Sequence, residues 1–168
     1  MQEEKENCKC PHCGASMEKR PHRVSKGLVQ SLVKFKVKVC ELDRNSLHLQ
    51  TDLDFTKSQF TNFQKLRYHG LIAKCYDKET KVRQSGYWLL TRRGNSFLKG
   101  EISIPIRVLT FRNRIVEKDE NKVSVKHILS NDELPYWDTL EQFKSHEYED
   151  VVDIEGAGSE DVRQLKMF

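Results

Sequence analysis

Three of the five cysteines, Cys8, Cys10 and Cys13, fall in the short stretch CKCPHCG. Thiolates are soft ligands, and a Cys-x-x-Cys turn can hold two sulfurs about 2.3 Å from one zinc ion. Pro11 fixes part of that turn and Gly14 permits a positive φ. Cys8, two residues before Cys10, offers a third sulfur. No second Cys-x-x-Cys follows, so the fourth ligand must be of another kind. His22, nine residues after Cys13, is the nearest remaining candidate, with His12 in reserve. Four protein ligands close the coordination sphere, so Cys8, Cys10, Cys13 and His22 read as a structural Zn2+ site with no open position for catalysis. The alternative, a redox pair, needs a thioredoxin-like βαβ surround that this sequence lacks. Cys40 and Cys75 fall in an expected helix and strand, as small buried hydrophobes.

A second chemistry belongs to DFTKSQFTNFQKLRYHGLI. Thr56 and Gln59 form a capping-box pattern, and Gly70 supplies a stop, which predicts a helix over residues 57–68. With Phe60, Phe63 and Leu66 inward, Lys57, Ser58, Thr61, Asn62 and Lys65 face out. That face combines phosphate donors with an amide able to pair with adenine in a major groove. Lys74, Lys78, Lys81 and Arg83 lie on or beside the next loop, and Arg92 and Arg93 open a further helix. Positive charge opposes the dipole at a helix start, so the two arginines suit an anionic partner better than they suit helix stability. Arg107, Arg112 and Arg114 form a third basic group, read first as protection of an edge strand. The histidines are scattered and no Gly-rich phosphate loop occurs, so no enzyme is expected. A zinc hydrolase would require an open ligand position. Asp52 and Asp54 are explained by capping in a polar turn.

The 168 residues are 37% apolar and 32% charged, enough for a core with accessories. The formal charge of +4 conceals an asymmetry. Residues 131–168 carry 11 acidic and 3 basic side chains, and the first 130 residues carry 14 and 26. A basic body with an acidic tail calls for an anionic partner and a tail that repels or mimics it. No apolar run approaches a membrane span, and the polar, acidic start resembles no signal peptide, so a cytoplasmic protein is expected.

The elements that must position these groups follow from periodicity. Ser25 caps a helix of about 18 residues with the stripe Leu28, Leu32, Phe35, Val39 and Leu42. A short extended piece at Leu47, His48 and Leu49 and one helical turn at 50–53 come next. Strands are expected at 71–76 and 87–90 around a charged loop, followed by a helix over 92–99 capped by Thr91. A hairpin over 102–111 and 115–117 and a strand over 123–128 complete the body. The tail after Ser130 is expected to be loosely attached, with Leu134, Trp137, Leu140 and Phe143 available to dock.

FTNFQKLRYHGLI resembles the recognition helix of winged helix-turn-helix proteins, and GYWLLTRRGNSFLKG resembles the second wing strand and following helix of MarR- and PadR-like regulators. The resemblance covers roughly residues 25–100. It departs in a very short second helix and in the extra hairpin and tail. It implies an α+β fold with a zinc knuckle over 1–24, a winged-helix domain over 25–100, a β-hairpin extension over 101–130 and an acidic, partly disordered tail over 131–168. Double-stranded DNA is the partner implied, bound by Lys57, Ser58, Thr61, Asn62 and Lys65 in the major groove and by Lys78, Lys81, Arg83, Arg92 and Arg93 on phosphates. The function implied is transcription regulation in a bacterium or its phage; a homodimer is compatible with it. The alternative is a phage-type inhibitor that binds a host nucleic-acid enzyme or defence complex, its acidic tail imitating a nucleic-acid strand.

Overall fold

Short strands precede the first helix in the computed structural model, which describes residues 7–9, 12, 16–77, 79–112, 114–141, 148–151, 153–154 and 156–157. β1 (Asn7–Lys9) pairs antiparallel with β2 (Ser16–Glu18), Cys8 opposite Met17 in the register. β3 (Arg20–Arg23) follows and leads into α1 (Lys26–Leu42). The Ser25 hydroxyl accepts from the Leu28 N–H at 3.3 Å, and Asp43 ends the helix in the left-handed region at φ 50°. Leu28, Leu32, Phe35 and Val39 are buried along the expected stripe. Leu42 is exposed, because the helix ends there and nothing packs beyond it. Lys36 is buried on the same helix, which a solvated-face pattern does not anticipate.

β4 (Ser46–His48) gives way to a single turn closed by the Asp52 N–H donating to the His48 carbonyl at 2.9 Å. α2 (Lys57–Phe63) has both halves of its capping box: the Thr56 hydroxyl accepts from Gln59 N–H, and the Gln59 side chain accepts from Thr56 N–H. The helix expected over 57–68 changes character after Phe63, since Gln64–His69 is a 3-10 helix. Three residues per turn put Phe63, Leu66 and His69 on one edge, and all three are buried. Gly70, at φ 74°, closes it with its N–H on the Arg67 carbonyl.

β5 (Ile72–Tyr76) and β6 (Arg83–Leu90) are antiparallel, and the sheet runs in the order β4-β6-β5. Trp88, 1% exposed, lies opposite Leu47 on one side and Lys74 on the other. α3 (Arg92–Leu98) follows at once. β7 (Ile104–Pro105), β8 (Arg107–Phe111), β9 (Arg114–Lys118) and β10 (Lys122–Val123) make two further antiparallel sheets, ordered β3-β8-β9 and β10-β7. The expected hairpin is thus β8 with β9, and β3 joins it, so residues before 25 are stitched to the C-terminal extension and are not a separate unit. The strand expected over 123–128 lasts two residues. Ser124 then caps α4 (Val125–Ile128), with His127 reaching back in a capping box. A 3-10 turn at Asn131–Glu133 and α5 (Trp137–Glu141) follow.

The tail is anchored where it is described, contrary to the expectation of a loose attachment. Trp137 is buried and its indole N–H donates to the Leu98 carbonyl at 3.3 Å. Tyr148, Ile154 and Ala157 are buried as well, and Val151 packs against Ala73, Cys75 and Leu89. Apolar burial, not charge, decides its placement. Phe143 and residues 158–168 lie outside the described residues.

The chain is an α+β protein whose largest core joins α1, α2, α3 and the β4-β6-β5 sheet. Phe35 stacks on Phe63 with centroids 5.2 Å apart, and Phe55 approaches Phe63 at the same distance. Each large apolar side chain fully buried there contributes about 1.5–3 kcal/mol. Among the described residues no helix is long and apolar enough to cross a membrane.

Thr91 ties the sheet to α3. Its buried hydroxyl donates to the Gly70 carbonyl at 2.6 Å and accepts from the Gly94 N–H at 3.0 Å. Thr91→Ala removes an N-cap and orphans a buried carbonyl, so thermal or urea unfolding should show a loss of about 1–2 kcal/mol. Thr91→Ser, which keeps the hydroxyl, should recover most of it.

Candidate functional site

The outward face of α2 presents the side chains that the sequence assigns to it. Lys57, Ser58, Thr61 and Lys65 are exposed and Asn62 is half-buried. Local bonds fix their arrangement: the Thr61 hydroxyl donates to the Lys57 carbonyl at 2.9 Å, and the Asn62 amide donates to the Ser58 hydroxyl at 3.3 Å. Lys34 on α1 donates to the Gln59 side-chain oxygen at 2.9 Å and braces α2 from behind. Phe63 anchors the opposite side in the core, so the polar face is held by packing as well as by the cap.

The hairpin between β5 and β6 is also pre-shaped. The Asp77 carboxylate accepts from the Glu79 and Thr80 N–H groups at 2.8 and 2.9 Å, which holds its pKa below the ordinary value. The Asp77 N–H donates to the Val82 carbonyl, and Lys81 adopts φ 57° to close the turn. Lys81, Val82 and Arg83 are exposed at this tip, and the Arg83 guanidinium lies 5.7 Å from the Trp88 ring centroid. Lys78 lies outside the described residues.

The arginine pair at α3 divides. Arg92 is exposed, with one guanidinium nitrogen 4.0 Å from the Asp150 carboxylate and its N–H on the Glu149 carbonyl at 2.8 Å. Arg93, expected on the basic surface, is buried at 4% exposure, and its Nε donates to the His69 carbonyl at 2.9 Å. On a helix adjacent residues point about 100° apart, so only one of the two faces solvent. Arg93 therefore holds the end of the 3-10 helix in place. Described tail carboxylates are engaged with the body: Glu141 with Lys36 and Lys99, Asp150 near Arg92, and Asp153 accepting from the Lys74 N–H at 2.7 Å.

Cys10 and Cys13 lie outside the described residues, and Cys8 is placed in β1. Among the described residues no group of three or more His, Cys, Asp or Glu side chains is set to hold a metal ion. His12 is an exposed turn residue. His22 in β3 stacks on Tyr68 with centroids 4.0 Å apart, and its Nε2 shares a hydrogen bond with the Thr110 hydroxyl at 2.9 Å. The donor chemistry of three closely spaced thiols fits zinc. His22 can join such a set only through Nδ1, its other nitrogen being engaged.

Sequence reading missed the surroundings of His22. Burial, then the charges of Lys65, Arg20 and Arg67, push its pKa down to about 4. The signal was the basic run KRPHR beside it. Arg67 also lies 5.1 Å from the Tyr68 ring, which extends the His22–Tyr68 stack. The sequence matches no protein-family model, and no curated protein or solved structure is detectably similar to it.

Proposed function

We propose that the chain is a zinc-stabilised winged-helix protein that binds double-stranded DNA and regulates transcription in a bacterium or its phage. The observation that best supports this reading is the strand order β4-β6-β5 with α2 inserted between β4 and β5. That order gives a winged helix its wing, and here exposed cations occupy both the helix and the hairpin tip. The turn at residues 49–52 stands where a fuller second helix is usual in that family.

In this reading α2 enters the major groove. Asn62 meets a base edge, while Lys57 and Lys65 pair with phosphates on either side. Lys81 and Arg83, carried on a turn already closed by Asp77, neutralise the flanking backbone. Arg92 contributes at the edge, shared with Asp150. Zinc on Cys8, Cys10, Cys13 and His22 acts as a structural ion that orders the N-terminal segment beside β3.

The test is a fluorescence-anisotropy titration of duplex DNA with the wild-type chain and with a Lys57→Glu, Lys65→Glu double variant. Reversal of two exposed charges should weaken binding roughly tenfold or more while leaving the unfolding midpoint in place. An unchanged Kd in a folded variant removes α2 from the interface. Binding of a host protein with no affinity for duplex, lost on deletion of residues 131–168, would favour the inhibitor reading.

A further inference from the structure

A cleft of about 260 Å3 opens where β3, the start of α1 and the outer face of α2 meet. No acidic residue lines it. Arg23 and Lys65 stand on its walls, and Ser58, Gln59 and Asn62 add hydroxyl and amide groups. Among the described residues neither Arg23 nor Lys65 has a carboxylate partner. Arg20 and Arg67 add their charge nearby, as their effect on His22 shows. His22, neutral at pH 7, closes one side of the cleft without adding a further charge.

A planar guanidinium, a point-charge ammonium and neutral donors converging on one hollow suit a tetrahedral oxyanion. The volume lies below the roughly 300–1,000 Å3 of drug-sized sites, and it leaves space for little more than a phosphate with its attached sugar. A cation is unsuited to walls that carry no carboxylate. An apolar ligand would strand the amide and hydroxyl groups.

We infer that this cleft is a phosphate-binding site that takes one nucleotide phosphate, with Arg23 and Lys65 as its charged ligands and Ser58, Gln59 and Asn62 as neutral donors. As the source of that phosphate we name a backbone phosphodiester of bound duplex, and this part rests on the DNA-binding reading. Arg23 thereby joins the interface from outside the winged-helix segment.

The experiment follows backbone amide resonances of the full 15N-labelled chain during titration with inorganic phosphate and, separately, with a short duplex. Saturable shifts at Gly27, Leu28 and Asn62 with phosphate, competed away by duplex, are the expected result. An Arg23→Gln, Lys65→Gln variant should lose the phosphate shifts, and its duplex-binding salt slope should fall by about 2, one phosphate contact per lost charge. Arg23→Lys with Lys65→Arg, which keeps both charges, should retain phosphate binding; Lys126→Gln, remote from the cleft, should behave as wild type. Absence of saturable shifts in the wild type, or their persistence in the Gln variant, overturns the site. Phosphate capture without duplex binding would uphold the site and overturn the duplex as its source. Duplex binding with an unchanged slope in the Gln variant would uphold DNA binding and overturn the assignment of this cleft.

Discussion

Glu141→Ala should lower the unfolding free energy by about 3–5 kcal/mol, because it leaves a buried ammonium without its counter-charge. Lys36 Nζ has no solvent exposure and lies 2.9 Å from Glu141, whose other oxygen meets Lys99 at 3.0 Å. The ammonium also sits 4.2 Å from the Trp137 ring centroid and 5.8 Å from that of Tyr148, and the Tyr148 hydroxyl donates to Glu141 at 3.2 Å. Burial pushes the Lys36 pKa down, and the bond to Glu141 works against that fall. Burial pushes Glu141 up, but hydrogen bonds from Lys36 and Lys99 outweigh it and hold the carboxyl below its ordinary value. The cluster joins α1, α3 and the tail, so its loss should loosen α5 as well. The decisive comparison is Lys36→Met combined with Glu141→Leu: removing both charges leaves none uncompensated, and most of the lost stability should return. Urea unfolding followed by tryptophan fluorescence measures both variants. A Glu141→Ala protein within about 1 kcal/mol of wild type would contradict the role given to the pair.

Acid should begin to destabilise the protein well above the carboxylate range. His69 is 2% exposed, and neither ring nitrogen has a hydrogen-bond partner among the described residues. Burial first, then the charges of His22 and Arg93, lower its pKa to about 3. His22 is lowered to about 4. Both imidazoles stay neutral in the fold at pH values where the unfolded chain has already taken up its protons. The unfolded state therefore binds more protons between the ordinary histidine value of 6.5 and these lowered values, and stability falls as pH falls through that window. His69 alone accounts for about 2–3 kcal/mol by pH 4.5, at roughly 1.4 kcal/mol per pH unit. His69→Leu removes both buried nitrogens, so it should flatten the loss between pH 7 and 4.5 by that amount. A variant that retains the wild-type pH slope would contradict this assignment.

These two effects were hidden in the sequence for the same reason. Lys36 sits between Lys34 and Lys38 and looks like one more solvated lysine; only the arrival of Glu141, Trp137 and Tyr148 from far along the chain buries it. His69 looks like a helix-end cation until 3-10 winding turns it inward beside Leu66. Arg93 and Arg92 differ only in which side of α3 each one faces. Features set by near neighbours were legible. Ser25 with Leu28, Thr56 with Gln59 and Thr91 with Gly94 are bonds three residues apart, and each starts a helix where the spacing predicts. The polar face of α2 was readable because its apolar partners, Phe63 above all, recur at helical spacing. Arg23 was not assigned to it, because the cleft depends on β3 pairing with β8, a contact that joins the two ends of the chain.

DNA binding by the basic face is tested most directly by the equilibrium Kd of the wild-type chain for a labelled duplex between about 50 and 200 mM salt, a range over which phosphate contacts reveal themselves. With Lys57, Lys65, Lys81 and Arg83 each neutralising a phosphate, the logarithm of the affinity should fall linearly with the logarithm of salt concentration, with a slope of about −4 or steeper. A slope near zero, or no measurable affinity at the lowest salt, would contradict it.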